Sequence, residues 1–248
     1  MKKPLLSTCI ITQNNAASLR RAIANTEHFS DEIVVVDGGS TDGTEFVARS
    51  HPKCVYLQRP FDGNFAAQKN FGFDHASGQW IFELDEDEVV CDDLAGRIRP
   101  LAQNATEVGF ALRRWWLSSL SPLQYVSTEL FETAWIPRLF RNDPRIRYVF
   151  PLDGPNSGVI HHEFDRRHQP LFVRLNPWRL LHFHYLLHDR ADREARFAWF
   201  NQVDPHCAET NARCYLYENF KHRIQPCPAR CQADSSFIAP ATPQPLAV

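Results

Sequence analysis

The chain contains no uninterrupted apolar run near the roughly 18 residues that a membrane-spanning helix needs, so no span is expected. It has no charge excess either: a formal net charge of −2 over 248 residues gives no general attraction to nucleic acid, and no nucleic-acid partner is expected. The G-x-G spacing of a glycine phosphate loop is missing after the first strand-like segments. Seven cysteines, an odd count, set no disulfide framework. Cys207, Cys214, Cys227 and Cys231, with His206, have the residue types of a zinc site, but "CPARC" with loosely spaced partners falls short of zinc-ligand spacing, and free thiols are the favoured reading. The opening "MKKPLLSTCIIT" puts two lysines before an apolar run, as a signal peptide does. Ser7 and Thr8 interrupt it and no small-residue cleavage site follows, so it reads as a first buried strand of a cytoplasmic protein.

What is present is an alternation. "LLSTCII" (5–11), "EIVVVD" (32–37), "CVYLQ" (54–58) and "WIFELD" (80–85) are short apolar runs of strand type. Between them lie "NNAASLRRAIANTEHF", "GGSTDGTEFVARS" and "GNFAAQKNFGFDHA", with helical spacing and good caps at Ser40, Thr41 and Asp42. Strand–helix alternation predicts an α/β fold with a mostly parallel sheet flanked by helices. After residue 100 the pattern loosens; "EVGFALRRWW", "AWIPRLFR" and "RIRYVF" read as further strands of a smaller α+β region. The division expected is 1–100 and 101–200 as two halves of one domain and 201–248 as an extension, its Pro-, Ala- and Cys-rich end poorly ordered.

Open parallel sheets bind ligands beyond the carboxyl ends of their strands. Those ends fall at 12–15, 37–40 and 85–88, all polar. Asp37 ends an apolar strand before "GGSTDG", where it either caps the turn or accepts hydrogen bonds from a nucleotide. "FELDEDEVV" crowds five acids together. If the segment stays extended, Asp85 and Asp87 share a side and make a hard-oxygen site for Mg²⁺ or Mn²⁺; the alternative is a solvated acidic turn. Arg113 and Arg114 before Trp115 and Trp116, with Arg138, Arg141, Arg145 and Arg147, read as a core aromatic pair with a solvated basic edge, ahead of a contact for an anionic lipid-linked acceptor. "DRADREARF" reads as a solvated helix face, from which Arg190 or Arg193 would be placed to neutralise a phosphate.

Taken in order, "IVVVDGGSTDGT", "RPFDGNFAAQKNFGFDHASGQWIFELDEDE", "PRLFRNDPRIRY", "IHHEF" and "LLHFHY" resemble family 2 glycosyltransferases of the GT-A fold, in particular the small bacterial lipopolysaccharide-core glucosyltransferases. The resemblance covers roughly residues 5–200. It implies a nucleotide-sugar donor such as a UDP-sugar, a glycan or lipid-linked acceptor, a divalent metal, peripheral attachment to the inner membrane face, and transfer with inversion. Thr12, Asn14, Asp37, Lys69 and Asp85 would border the nucleotide, and Asp87 would hold Mg²⁺ or Mn²⁺ on the diphosphate. Glu163 would be the base, with Asp165 as the alternative. His162, His182 and Glu88 would contact acceptor or pyrophosphate. The sequence departs from the family pattern at "DGG" for "DSG", at Glu86 for a small residue, and at His184 for glycine. Two readings stay open beside this one: a non-catalytic nucleotide-sugar-binding partner in envelope assembly, and a nucleotidyltransferase, which would want a glycine-rich basic loop that "TQNNAASLR" lacks.

Overall fold

The structure is a computed structural model that describes residues 3–149, 163–164, 172–203, 205 and 208–229. The elements of the first half are β1 (Leu6–Thr12), α1 (Ala16–Thr26), β2 (Glu32–Asp37), α2 (Thr44–Arg49), β3 (Cys54–Gln58), α3 (Phe65–His75) and β4 (Trp80–Asp85). Then follow β5 (Glu88–Val90), α4 (Asp92–Asn104), β6 (Gly109–Leu120), β7 (Leu123–Ser127), α5 (Glu129–Thr133) and β8 (Ile136–Arg141). After β9 (Tyr148–Val149) and β10 (Glu163–Phe164) come β11 (Phe172–His182), α6 (His184–Leu187), α7 (Arg190–Val203), α8 (Ala208–Tyr215) and β12 (Arg223–Pro226).

The first strands are apolar on both faces because both faces are covered. Alternation along each strand divides their side chains between two cores. Leu6, Ile10, Ile33, Val35 and Phe82 pack with Leu19 and Ile23 of α1 and Leu94 and Ile98 of α4. Cys9, Val34, Val36 and Ile81 pack with Ala66 and Phe73 of α3. Asparagine side chains start two of the helices: Ser18 N donates to Asn15 Oδ1 at 3.4 Å and Ala67 N to Asn64 Oδ1 at 2.9 Å.

The expected α/β sheet is present, with ten strands among the described residues. β3, β2, β1 and β4 lie side by side and parallel. β8, β6, β7 and β12 continue the sheet antiparallel. β11 runs parallel to β6 and antiparallel to β5. Three registers align the polar strand ends: Thr12 is level with Asp37, Ile11 with Asp85, and His182 with Glu88. The carboxyl ends of β1, β2 and β4 therefore share one edge, and β11 delivers a histidine to it. β9 and β10 form a separate pair that sets Glu163 opposite Val149.

Trp115 and Trp116 are buried, against Tyr125 at 5.3 Å and Phe131 at 4.7 Å between ring centroids, as the core aromatic reading expects. The solvated basic edge does not hold for Arg138, which is fully buried. No helix among the described residues is long and apolar enough to cross a membrane.

Candidate functional site

Asp37, the last residue of β2, is fully buried, and its carboxylate organises the loop that follows. Oδ1 accepts from Ser40 N at 3.0 Å, Ser40 Oγ at 2.6 Å and Gly39 N at 3.2 Å; Tyr56 OH donates to Oδ2 at 2.6 Å. Gly39 sits at φ +100°, a conformation that side chains resist, so glycine there lets the backbone fold back onto the carboxylate. Across the edge, Asn14 takes φ +51°. Its N donates to Ser40 Oγ at 2.7 Å and its Oδ1 accepts from Thr41 N at 2.7 Å. The two candidate nucleotide loops, after β1 and after β2, are thus tied to each other. The cap and binding readings of Asp37 are compatible: the carboxylate holds the loop whose backbone a ligand would meet.

The acidic stretch does not stay extended. β4 ends at Asp85, residues 86–87 turn, and β5 begins at Glu88. The two-residue parity expected of Asp85 and Asp87 fails at that turn, and the two carboxylates meet different partners. Asp85 faces Lys69 Nζ at 2.9 Å, Arg138 Nη2 at 2.9 Å and Arg114 Nη2 at 3.1 Å. Glu83 accepts from Lys69 Nζ and Tyr148 OH and pairs with Arg138 Nη1 at 2.9 Å. Glu88 is buried between Arg138 at 2.7 Å and Arg114 at 2.6 Å, and Asp85 N donates to it at 3.0 Å. Three carboxylates thus interlock with three cations. Burial alone would push Asp85 up, but Lys69, Arg138 and Arg114 together hold it well below the usual carboxylate range. Lys69 and Asp85, expected beside the nucleotide, form one side of this cluster, and Glu88 lies inside it.

Glu86 reaches across to the start of α1, where it accepts from Asn15 Nδ2 at 3.1 Å. Burial pushes its carboxyl up to about 8 against the pull of Thr12 and Asn15, the Asp87 charge adding to the rise.

Asp87 stands apart. Its carboxylate meets one imidazole: His182 Nε2 donates to Oδ2 at 3.1 Å. The main chain completes the junction, with Phe183 N donating to Asp87 O at 2.9 Å. Burial works to raise Asp87, but His182 outweighs it and holds the carboxyl below its ordinary range. Around this pair lie further rings: Trp116 edge-on to His182 at 4.1 Å, His184 at 5.8 Å from His182, and Tyr215 at 5.1 Å from His184. Burial, then the charge of His182, keep His184 neutral. His182 Nδ1 and His184 Nε2 are both buried without a hydrogen-bond partner.

This end of the site fits the implied Mg²⁺ or Mn²⁺. No group of three or more His, Cys, Asp or Glu among the described residues forms a metal cage. A hard cation held by one carboxylate and by substrate phosphates needs none. Of the late residues weighed for zinc, Cys214 is a free thiol, while His206, Cys207 and Cys231 lie outside the described residues. So do His162, Asp165 and the side chain of Glu163.

Sequence reasoning missed the role of Arg114 and Arg138, which decide what the acidic stretch becomes. The signal was available for Arg138: a guanidinium between apolar neighbours in "IPRLFR", on a strand that pairs with β4.

The chain resembles several known proteins over part of its length. It is 36% identical over 98 residues to an uncharacterized glycosyltransferase of Rickettsia prowazekii, covering 40% of this chain and 32% of that one. It is 38% identical over 87 residues to the lipopolysaccharide core biosynthesis glycosyltransferase LpsC of Rhizobium meliloti, covering 34% and 32%. The matched segment is thus about a third of the length of these curated relatives. Residues 1–349 of TarS from S. aureus superpose with a TM-score of 0.48 at 12% identity, over 87% of this chain and 73% of that one. The sequence profile of glycosyl transferase family 2 matches residues 7–168, more than half of the chain, and the chain belongs to that family.

Proposed function

We propose that the chain transfers a sugar, with inversion, from a nucleotide diphosphate sugar, a UDP-sugar in the first instance, to a hydroxyl of a cell-envelope glycan or lipid-linked acceptor. Family membership supports the reaction class. The similarity to LpsC, named for lipopolysaccharide core biosynthesis, supports the acceptor class. The observation that carries the reading is Asp87. The carboxylates of β4 and β5 are all neutralised by Lys69, Arg114 or Arg138, whereas Asp87 is held ionised at the sheet edge with one imidazole behind it.

In this reading the loops after β1 and β2 receive the nucleoside, with Asp37 fixing the backbone they present. Asp87, oriented by His182, would hold Mg²⁺ or Mn²⁺, which when bound supplies Lewis-acid stabilisation to the diphosphate leaving group. The Lys69–Arg114–Arg138 cluster keeps the floor of the site rigid and electrically neutral. Glu163 takes the proton of the acceptor hydroxyl as it attacks the anomeric carbon. A Glu163→Gln variant is expected to lose transfer at least a hundredfold while retaining donor binding; unchanged transfer would remove Glu163 from this role.

Asp37→Ala removes the acceptor of three loop hydrogen bonds and leaves the Tyr56 hydroxyl unpaired. An unpaired donor costs about 1–3 kcal/mol when fully buried, and these part-buried ones cost less. The variant is expected to melt several degrees lower and to bind nucleotide at least tenfold more weakly by calorimetric titration. Wild-type affinity would show that the loop is not the nucleotide site.

Incubation of the protein with single nucleotide sugars and Mn²⁺, without acceptor, tests the whole proposal. Slow release of nucleoside diphosphate from one donor, stopped by a chelator, is the expected result. Release from none of a UDP-, GDP-, ADP- and CMP-sugar panel, together with no binding of any of them, contradicts it. Binding without release would favour a non-catalytic partner.

A further inference from the structure

Helix α7 carries three arginines, and they have different fates. Arg190 pairs with Glu194 at 2.7 Å and reaches Glu218 at 3.5 Å. Arg193, buried, pairs with Glu218 and donates to Tyr215 O at 2.8 Å. The two arginines that the sequence singles out for phosphate are thus engaged within the α7–α8 region. Arg196 is not. Its Nε is buried without a hydrogen-bond partner, and it has no ion pair among the described residues.

Its place on the helix gives it a direction. Arg193 and Phe200 are buried positions of α7, seven residues apart, and Arg196 lies between them on that inner face. Phe200 stacks on Tyr215 at 5.0 Å, and Tyr215 is 5.1 Å from His184. On the other side Phe200 is 6.3 Å from Phe65, which is 4.6 Å from Phe61, whose N donates to Gly38 O at 2.9 Å. The inner face of α7 therefore spans from the Asp37 loop to the Asp87–His182 end. The charge of Arg196 is felt there: after burial, it is the largest influence holding His188 down, to about 4, and it also acts on His184. His184 Nε2 and His182 Nδ1 are likewise buried without a hydrogen-bond partner.

A half-buried guanidinium whose Nε is buried and unpartnered, with no carboxylate partner among the described residues, on a helix face that reaches the site, fits an anionic oxygen ligand. The planar fork of arginine matches phosphate geometry. We propose that Arg196 binds a phosphate of the donor's nucleoside diphosphate. This rests on the nucleotide-sugar reading of the site. It adds a cation supplied by α7, across the site from the sheet edge that carries Asp37 and Asp87.

The test compares wild type, Arg196→Gln, Arg196→Lys and the control Arg190→Gln in calorimetric titrations with Mg²⁺. The probes are whichever of UDP, GDP, ADP and CDP wild type binds best, and the matching nucleoside without phosphates. Arg196→Gln is expected to weaken diphosphate binding tenfold or more and to leave nucleoside binding within twofold. Arg196→Lys should recover part of the loss, and Arg190→Gln should match wild type. The melting temperature without ligand should stay within a few degrees in all four, since Arg196 has no ion pair among the described residues to lose. Equal weakening for diphosphate and nucleoside, or wild-type diphosphate affinity in both Arg196 variants, would overturn the inference and leave the functional proposal standing. Failure of wild type to bind any nucleoside diphosphate would overturn both.

Discussion

Asp87→Ala is expected to abolish sugar transfer while leaving the protein folded. The two effects separate because of what surrounds the residue. On the structural side, the variant loses one hydrogen bond, from His182 Nε2 at 3.1 Å. Losing one hydrogen bond to a buried side chain costs of the order of 1–3 kcal/mol. The main-chain bond from Phe183 N to Asp87 O is untouched by the substitution and continues to join β11 to the turn. On the chemical side, the variant removes the carboxylate that would hold the cation on the leaving diphosphate. Such charge stabilisation is worth several kcal/mol in a transition state, and each 1.36 kcal/mol is a factor of ten in rate. A loss of about a thousandfold or more in kcat is therefore expected by that arithmetic. Asp87→Asn, which keeps the shape and loses the charge, should fall nearly as far. Transfer assays on both variants, with thermal melts beside them, check the prediction. Turnover within tenfold of wild type in a folded Asp87→Ala protein would place the essential carboxylate elsewhere.

Arg138→Met is expected to show the opposite profile, a large loss of stability from a fully buried residue. Arg138 is fully buried and meets Glu83, Asp85 and Glu88 at 2.9, 2.9 and 2.7 Å. Removing it leaves three carboxylates to share Lys69 and Arg114. Breaking a buried ion pair by deleting one partner costs about 3–5 kcal/mol. For a chain of this size each kcal/mol moves the midpoint roughly 2–4 °C, so a drop of about 6–20 °C is expected. Arg138→Lys, retaining charge without the fork, should lie between. The pH dependence follows from Asp85, whose folded carboxyl is held below its ordinary range by Lys69, Arg138 and Arg114. A depressed carboxyl contributes stability above the unfolded pKa and loses it as pH falls through the folded pKa. In Arg138→Met that contribution shrinks, so the gap between wild type and variant is widest near neutral pH. It should narrow as pH falls below about 4, the ordinary range of an aspartate. Denaturant melts at several pH values measure this. A gap that does not change with pH would mean that lost packing, and not lost charge pairing, sets the cost.

The parallel half of the sheet is legible in the sequence because its strands are short apolar runs with polar ends, separated by capped helices. The carboxyl-edge rule then locates Thr12, Asp37 and Asp85 on one rim, as the registers of β1 with β2 and β4 place them. What the sequence hides is the division of labour among the acids. "FELDEDEVV" does not say that residues 86–87 turn, because a carboxylate run fits an extended segment as well as a loop. Nor does it say that Glu83, Asp85 and Glu88 have cations waiting, because Arg114 and Arg138 arrive from strands 26 or more residues later in the sequence. Long-range charge pairing has no local signature. For that reason Arg138 reads as part of a solvated edge from sequence alone. Arg190 and Arg193 stand out there ahead of Arg196 because their partners, on α8 and the turn at Tyr217–Asn219, come from a segment with no readable pattern.

We propose the carboxyl edge of β1, β2 and β4 as a metal-dependent nucleoside diphosphate site. Thermal melts of the wild-type protein with UDP, GDP, ADP and CDP, each with and without Mn²⁺, test it most directly. A ligand that binds only the native state stabilises it by about 2.7 kcal/mol at a hundred times its Kd. The expected result is that one diphosphate raises the midpoint by several degrees with Mn²⁺ and by much less without it. A midpoint unmoved by every nucleotide, or moved equally with and without the metal, would contradict the claim.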